Sequence, residues 1–321
     1  MPPSGGTDDR PRDQHTCSIG PMPLPNFLHV GAAKTGTTSQ YFYLRQHPEI
    51  YMSHKKGPEY FASLFPQGFG TGPGDGKKPV VTDRAEYESL FDAAGSARII
   101  GEASVSYLYH HEHAIPLIRR YLGDPKILIT LRNPAELAFA YYQHLKRQGR
   151  EWLTFEEGLQ AEGERIARGW HYHWHYQAVG HFADQVGAYL DSFSQVKVSL
   201  MEDLAMDAAG YMRALFRFLE VDDTFEPDLS TQFNRGGIPR SRILYRLIGG
   251  SRTRPRGVQL VGRLVGEERL MRLRERTRDR ILRRDSIAPE TRVRLLNAYR
   301  PDISRLEEML GRDLSCWMEQ P

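Results

Sequence analysis

The chain has 321 residues, 40% of them hydrophobic and 26% charged, with a formal net charge of +3. That composition describes a packed globular protein, and the basic excess is too small to mark a nucleic-acid binder. No apolar run approaches the roughly 20 residues that span a bilayer.

Residues 1–25 carry Pro, Gly and Asp but no apolar signal-peptide core, so they read as a disordered lead-in. The two cysteines, Cys17 and Cys316, lie near opposite ends without metal-ligand spacing, which suits free thiols in a reducing cytoplasm. A soluble cytoplasmic protein is expected, with residues 26–321 as one domain; its oligomeric state is not encoded in any motif.

An apolar stretch at 27–30 predicts a strand, followed by the small-residue loop Gly31-Ala-Ala-Lys34-Thr-Gly-Thr-Thr and a helix over 37–46. His47-Pro48 closes that helix, because the residue before proline avoids helical geometry. A second short strand is expected at 50–53, a Gly- and Pro-rich loop at 67–78, a helix at 84–94 and a third strand at 98–101. A helix at 112–122 precedes the strongest buried strand, 126–131. Helical patterns follow at 134–150, 154–168 and 174–192, then a strand at 196–201 and an amphipathic helix at 208–219. Residues 243–317 read as helices with no further strand, and 243–321 forms a helical C-terminal part. The fold class is therefore α/β, a P-loop-like parallel sheet flanked by helices with a helical C-terminal extension. In such sheets ligands sit beyond the carboxyl ends of the strands, so the loops beginning at Gly31, Ser53, Glu102 and Arg132 are expected to converge.

A strand, a small-residue loop with one lysine and a helix start form a phosphate cradle, since backbone N–H groups and the helix N-terminus both present positive charge. The nucleotide-hydrolase spacing would place lysine after the second glycine, where this chain has Thr37; the lysine is inside the loop, at Lys34. The later strand ends in Arg132-Asn133-Pro134 where a P-loop nucleotidase carries an acidic magnesium anchor. An arginine there favours a direct, two-pronged grip on a phosphate.

With these residues the chain resembles the sulfotransferases that use 3′-phosphoadenosine 5′-phosphosulfate (PAPS), in the bacterial branch related to heparan sulfate sulfotransferases. The matching segments are Lys34-Thr35-Gly36-Thr37-Thr38, Gly101-Glu102-Ala103-Ser104, Leu131-Arg132-Asn133-Pro134 and Asn234-Arg235-Gly236-Gly237, with a similar tail from Tyr299 to Trp317. The resemblance implies that Lys34, Thr35, Gly36, Thr37 and Thr38 hold the donor's 5′-phosphosulfate and that Arg132 binds its 3′-phosphate. It also implies that Arg235 and Gly236 belong to a loop closing over the nucleotide. The implied reaction is in-line transfer of a sulfuryl group to a hydroxyl or amine, with PAPS as co-substrate and no metal. The acceptor would be a small molecule, a lipid or a carbohydrate, and no nucleic-acid partner is expected.

Two positions depart from the family pattern. Ala140 stands where relatives have a serine that shares the 3′-phosphate. Gly57 stands where relatives have the glutamate that takes the acceptor's proton, leaving Glu59 and Glu102 as the candidate bases. Each has a structural rival: Glu59 as a surface carboxylate beside Lys55 and Lys56, Glu102 as a partner of Lys34 or of a backbone amide. Lys56 either touches the donor's sulfonate or is solvated. A P-loop nucleotide kinase or hydrolase is the alternative reading, as is a nucleotide-binding relative impaired in catalysis.

His171, His173 and His175 alternate within an aromatic run whose surroundings look helical. On a helix they scatter, so the run suits packing or an acceptor-pocket wall better than a zinc site. The arginine-rich segment 240–284 reads as a solvated helical face.

Overall fold

The computed structural model describes residues 23–66, 70–75, 80–230 and 285–319, and the backbone of 238–239 and 282–283. The apolar run forms β1 (Phe27–Gly31), buried at every position. Beside it lie β2 (Ile50–Met52), β3 (Ile99–Glu102), β4 (Lys126–Leu131) and β5 (Val196–Leu200) in one parallel sheet of order β2-β3-β1-β4-β5.

Helices cover both faces, as a parallel sheet requires. They are α1 (Thr37–Leu44), α2 (Tyr60–Ser63), α3 (Arg84–Ser89), α4 (His111–Leu122) and α5 (Pro134–Arg147), then α6 (Phe155–Gln160), α7 (Glu162–Ala167), α8 (Phe182–Ser192), α9 (Met201–Met206), α10 (Ala208–Leu219) and α11 (Pro289–Leu310). Side chains alternate along each strand and divide the core in two. Leu28, Val30, Ile127, Ile129 and Leu131 pack with residues of α5, α8 and α11. Phe27 and Leu128 pack on the opposite face with Tyr41 and Leu44 of α1 and Met212 and Leu215 of α10.

The C-terminal helix is tied into this body. Asp302 on α11 accepts the N–H groups of Phe182 (2.7 Å) and Ala183 (3.2 Å), satisfying donors that the start of α8 leaves open. No helix among the described residues is long and apolar enough to cross a membrane.

Four expectations need correction. The helix expected over 84–94 ends at Ser89, with a 3-10 turn at Asp92–Ala94. The helix expected over 154–168 is two short ones, α6 and α7. The helix expected from 174 begins at Phe182, after 3-10 turns at Tyr172–Trp174 and Ala178–Gly180. Tyr172, Trp174 and Tyr176 are all fully buried, and an α-helix would throw residues spaced by two to different sides. Finally, residues 243–317 do contain a strand: β6 (Ile238–Pro239) pairs antiparallel with β7 (Leu282–Arg283). Such a two-residue pairing is made by contact across the chain and leaves no periodic pattern to read.

Candidate active site

Because the strands are parallel, the loops after β1, β2, β3 and β4 leave the sheet at one edge. The first loop turns on two left-handed residues, Lys34 (φ 69°) and Gly36 (φ 79°). Gly36 is the N-cap of α1 and has no side chain to cap it, so the helix presents its first-turn N–H groups to whatever anion fills the loop. Thr35 is fully buried and its hydroxyl donates to the Ala32 carbonyl at 2.7 Å. It therefore braces the loop and has only its backbone N–H to offer a ligand. Thr37 is buried and Thr38 half-buried at the helix start.

Beneath the loop runs a buried polar chain that sequence reasoning missed. The Thr130 hydroxyl donates to Gln40 Oε1 (3.1 Å), which also accepts from the Tyr211 hydroxyl (2.9 Å). His29 Nε2 lies 3.1 Å from the same Thr130 oxygen, and Gln40 Nε2 donates to the Thr35 carbonyl at 3.3 Å. Burial, with the charge of nearby Lys56, lowers the His29 pKa to about 3, so it stays neutral. The signal for this chain was the polar residue at the centre of an otherwise apolar strand.

Arg132 leaves the end of β4 toward the same loop. Its Nη1 donates to the Lys34 carbonyl at 3.4 Å, and its ion pair with Glu136 is long, at 3.7 Å. Desolvation lowers the Arg132 pKa, yet a guanidinium keeps its proton, so a mostly buried charge sits with weak partners. Such a group favours a bound anion. Asn133 fixes the turn: its Oδ1 accepts the N–H groups of Ala135 (3.0 Å) and Glu136 (3.2 Å), capping α5. Its Nδ2 donates to the Trp317 carbonyl at 2.8 Å, and its own N–H goes to Glu202 Oε1 at 3.0 Å.

Glu59 is not a surface carboxylate. It is 2% exposed and adopts a left-handed conformation (φ 55°), with Gly57 two residues earlier at φ 67°. Its N–H donates to Ser104 Oγ at 2.9 Å, and Ser106 Oγ donates to its Oε2. A Cβ placed on Gly57 would stand 3.7 Å from Glu59 Oε1, so the Glu59 carboxylate occupies the space beside position 57. Glu102 is also fully buried; it faces Tyr87, Ser104 and Tyr107, and neither oxygen closes a hydrogen bond. Desolvation, reinforced by nearby Glu59, pushes its pKa up to about 7.

That shift has a stability consequence. Between its ordinary 4.5 and about 7, the folded chain holds a proton on Glu102 that the unfolded chain releases. The contribution of neutral Glu102 is therefore intact at acid pH and lost as pH rises through about 7. Glu102→Gln is expected to gain about 2 kcal/mol at pH 8 and to flatten the decline between pH 5 and 7 in urea titrations. An unchanged profile would mean that Glu102 is charged at no cost in the native state.

On the far side of Glu59 the residues 170–176 meet the described part of the Gly-rich loop, 70–75. Asp75 accepts from Gly72 N–H (2.8 Å) and Trp174 Nε1 (3.0 Å) and pairs with Arg150. Arg165 pairs with Glu151 at 2.8 Å and stacks on Trp170, Trp174 and Tyr176. The His171 and His173 rings pack against each other with centroids 4.3 Å apart; among the described residues no group of three or more His, Cys, Asp or Glu is placed to hold a metal. Arg235, Gly236 and the arginine-rich segment 240–284, apart from the backbone of Leu282–Arg283, lie outside the described residues.

The chain, with its five-stranded parallel sheet, a lysine loop after the central strand and an arginine just past the end of the neighbouring strand β4, belongs to the sulfotransferase family of enzymes. The likeness is carried by the crystal structure of a sulfotransferase from Alicyclobacillus acidocaldarius, which matches with a TM-score of 0.72 at 36% identity, over 92% of this chain and 100% of that one. In sequence the chain is similar to the membrane-associated sulfotransferase kil1 of Dictyostelium discoideum, 29% identical over 149 residues, 44% of this chain and 29% of that protein. It is also 27% identical over 146 residues to the human bifunctional heparan sulfate N-deacetylase/N-sulfotransferase 2, covering 39% of this chain and 13% of that protein. The chain thus matches less than a third of the length of these two curated relatives. No family model matches it.

Proposed function

We propose that the chain moves the sulfuryl group of PAPS to a hydroxyl or amine of an acceptor, with Glu59 as the base. The observation that carries this reading is the meeting of three features at one edge: the uncapped start of α1 behind Lys34, the under-partnered Arg132, and the buried Glu59. The donor, when bound, supplies a sulfur–oxygen bond that breaks as the acceptor oxygen or nitrogen bonds to sulfur, leaving 3′-phosphoadenosine 5′-phosphate (PAP).

The protein's part is positioning and charge, as in phosphoryl transfer. The amides of Thr35, Gly36, Thr37 and Thr38, with the Thr37 and Thr38 hydroxyls, hold the 5′-phosphate side. Lys34 neutralises charge on the leaving oxygen, and the Arg132 fork holds the 3′-phosphate. Lys56, whose charge reaches His29 beneath the loop, approaches the sulfonate. Glu59, aligned by Ser106, takes the acceptor's proton. Arg235 and Gly236 are assigned to closure over the nucleotide on the family resemblance alone. The exposed free thiol of Cys316 suits a reducing cytoplasm.

Calorimetry with PAP in the absence of magnesium tests the site. Binding is expected, and Arg132→Ala should weaken it by about 10–100-fold, the loss of a charge-assisted bidentate contact. Undiminished binding in that variant would remove Arg132 from the site, and binding of ATP only with magnesium would favour a kinase.

A further inference from the structure

The lysine loop is held from below by a side chain to which the transfer reaction gives no part. Gln40, fully buried near the start of α1, meets two consecutive carbonyls of the loop. Its backbone N–H donates to the Gly36 carbonyl at 3.2 Å, the ordinary first bond of a helix. Its side-chain Nε2 donates to the Thr35 carbonyl at 3.3 Å. That carbonyl and the Gly36 N–H belong to one trans peptide plane, so they point in opposite directions. A Thr35 carbonyl drawn toward the core therefore turns the Gly36 N–H outward. Gly36 is half-buried, whereas Thr35 and Gln40 are fully enclosed.

The amide is itself oriented from behind. Its Oε1 accepts from the hydroxyls of Thr130 (3.1 Å) and Tyr211 (2.9 Å), which leaves the Nε2 end to meet the carbonyl. Thr130 lies on β4, two residues before Arg132, and its own carbonyl accepts the Ala32 N–H at 2.8 Å. One residue of β4 thus fixes the loop at Ala32 directly and at Thr35 through Gln40. The chain carries no charge. Burial keeps His29, 3.1 Å from the Thr130 hydroxyl, neutral, and raises the pKa of the Tyr211 hydroxyl. Such a chain orients a peptide dipole without adding to or cancelling the charge of a bound anion. As mere filling it would be a poor choice, because a buried amide needs its polar atoms paired and a leucine of similar size does not.

We propose that Gln40 is a positioning residue for the donor: through the Thr35 peptide it aims the Gly36 N–H at the 5′-phosphate, and through Thr130 it sets that amide in register with Arg132. This rests on the sulfotransferase reading of the loop. The gain is preorganisation, since a peptide already pinned from the core gives up little orientational freedom when the anion arrives.

The test compares affinities for PAP and for adenosine 3′-phosphate, which keeps the 3′ group and lacks the 5′ one, by ligand-observed NMR. Gln40→Leu is expected to weaken PAP about tenfold, the worth of one hydrogen bond to a charged group, and to leave adenosine 3′-phosphate within about twofold of the parent. Thr130→Val, which keeps the side-chain shape, serves if Gln40→Leu does not fold; it should weaken PAP about threefold, with Thr130→Ser restoring the affinity. Unchanged PAP affinity in both apolar variants would overturn the inference, and so would equal losses for the two nucleotides, the mark of a merely structural amide. A parent protein that binds PAP no better than adenosine 3′-phosphate would overturn the donor reading of the loop, and the inference with it.

Discussion

Glu59→Gln is expected to slow single-turnover sulfate transfer by about 10²–10⁴-fold, the range for losing a positioned general base, while PAP affinity stays unchanged. The reason is local geometry. Position 57 is glycine in a left-handed turn, and the Glu59 carboxylate stands in the space next to it. A second variant makes the claim sharper. Gly57→Glu in the Glu59→Gln background returns a carboxylate to this pocket from the other attachment point. A Cβ at 57 meets only ordinary contacts, 3.5 Å to the Ala103 carbonyl and 3.7 Å to Glu59 Oε1, although its left-handed backbone costs about 1–2 kcal/mol. Partial recovery of the rate is expected in the double variant. If Glu59→Gln retains full transfer, or Glu102→Gln alone abolishes it, the base is not Glu59.

Lys34→Gly is expected to drop kcat by about 10²–10³, the scale of removing one group that stabilises charge in the transition state, and at the same time to leave stability level or raise it. Lys34 holds a left-handed conformation that suits glycine and strains a lysine. Among the described residues only Lys34, Glu59 and Glu220 are non-glycine residues with positive φ, and two of these three are assigned to catalysis. Activity and stability should therefore move apart, read by sulfate transfer and by Tm on the same preparation. A fall in Tm with activity retained would make Lys34 a structural residue.

The loop-and-strand frame of the proposed donor site was readable because its signals are local. β1, its loop and α1 are consecutive, and the 126–131 strand with its Arg132 end matches β4. The setting of the proposed base was not. Glu59, beside Lys55 and Lys56, looks solvated in one dimension; Ser104 and Ser106, 45 and 47 residues further on, give it a buried setting. Thr35 was expected to help hold the donor, but its hydroxyl is taken by Ala32, a contact no motif reveals. The aromatic run at 170–176 misled for a related reason. Its spacing of two is that of a strand, yet the chain forms 3-10 turns there, and the packing of Trp174 against Arg165, Arg150 and Asp75 accounts for the burial.

The hydrogen bond from Asn133 to the Trp317 carbonyl spans 184 residues and sits next to Arg132. Arg312, five residues before Trp317, grips Asp203 with two bonds of 2.6 and 2.8 Å in α9, the helix that follows β5. The consequence is one of timing. On the ribosome the lysine loop emerges early, yet the arginine turn opposite it is locked only when residue 317 clears the exit tunnel. If the proposed donor site is right, nascent chains should therefore acquire nucleotide affinity late and abruptly, and a stop codon before Arg312 would leave the sheet's central pairings in place around an arginine turn missing its clasp.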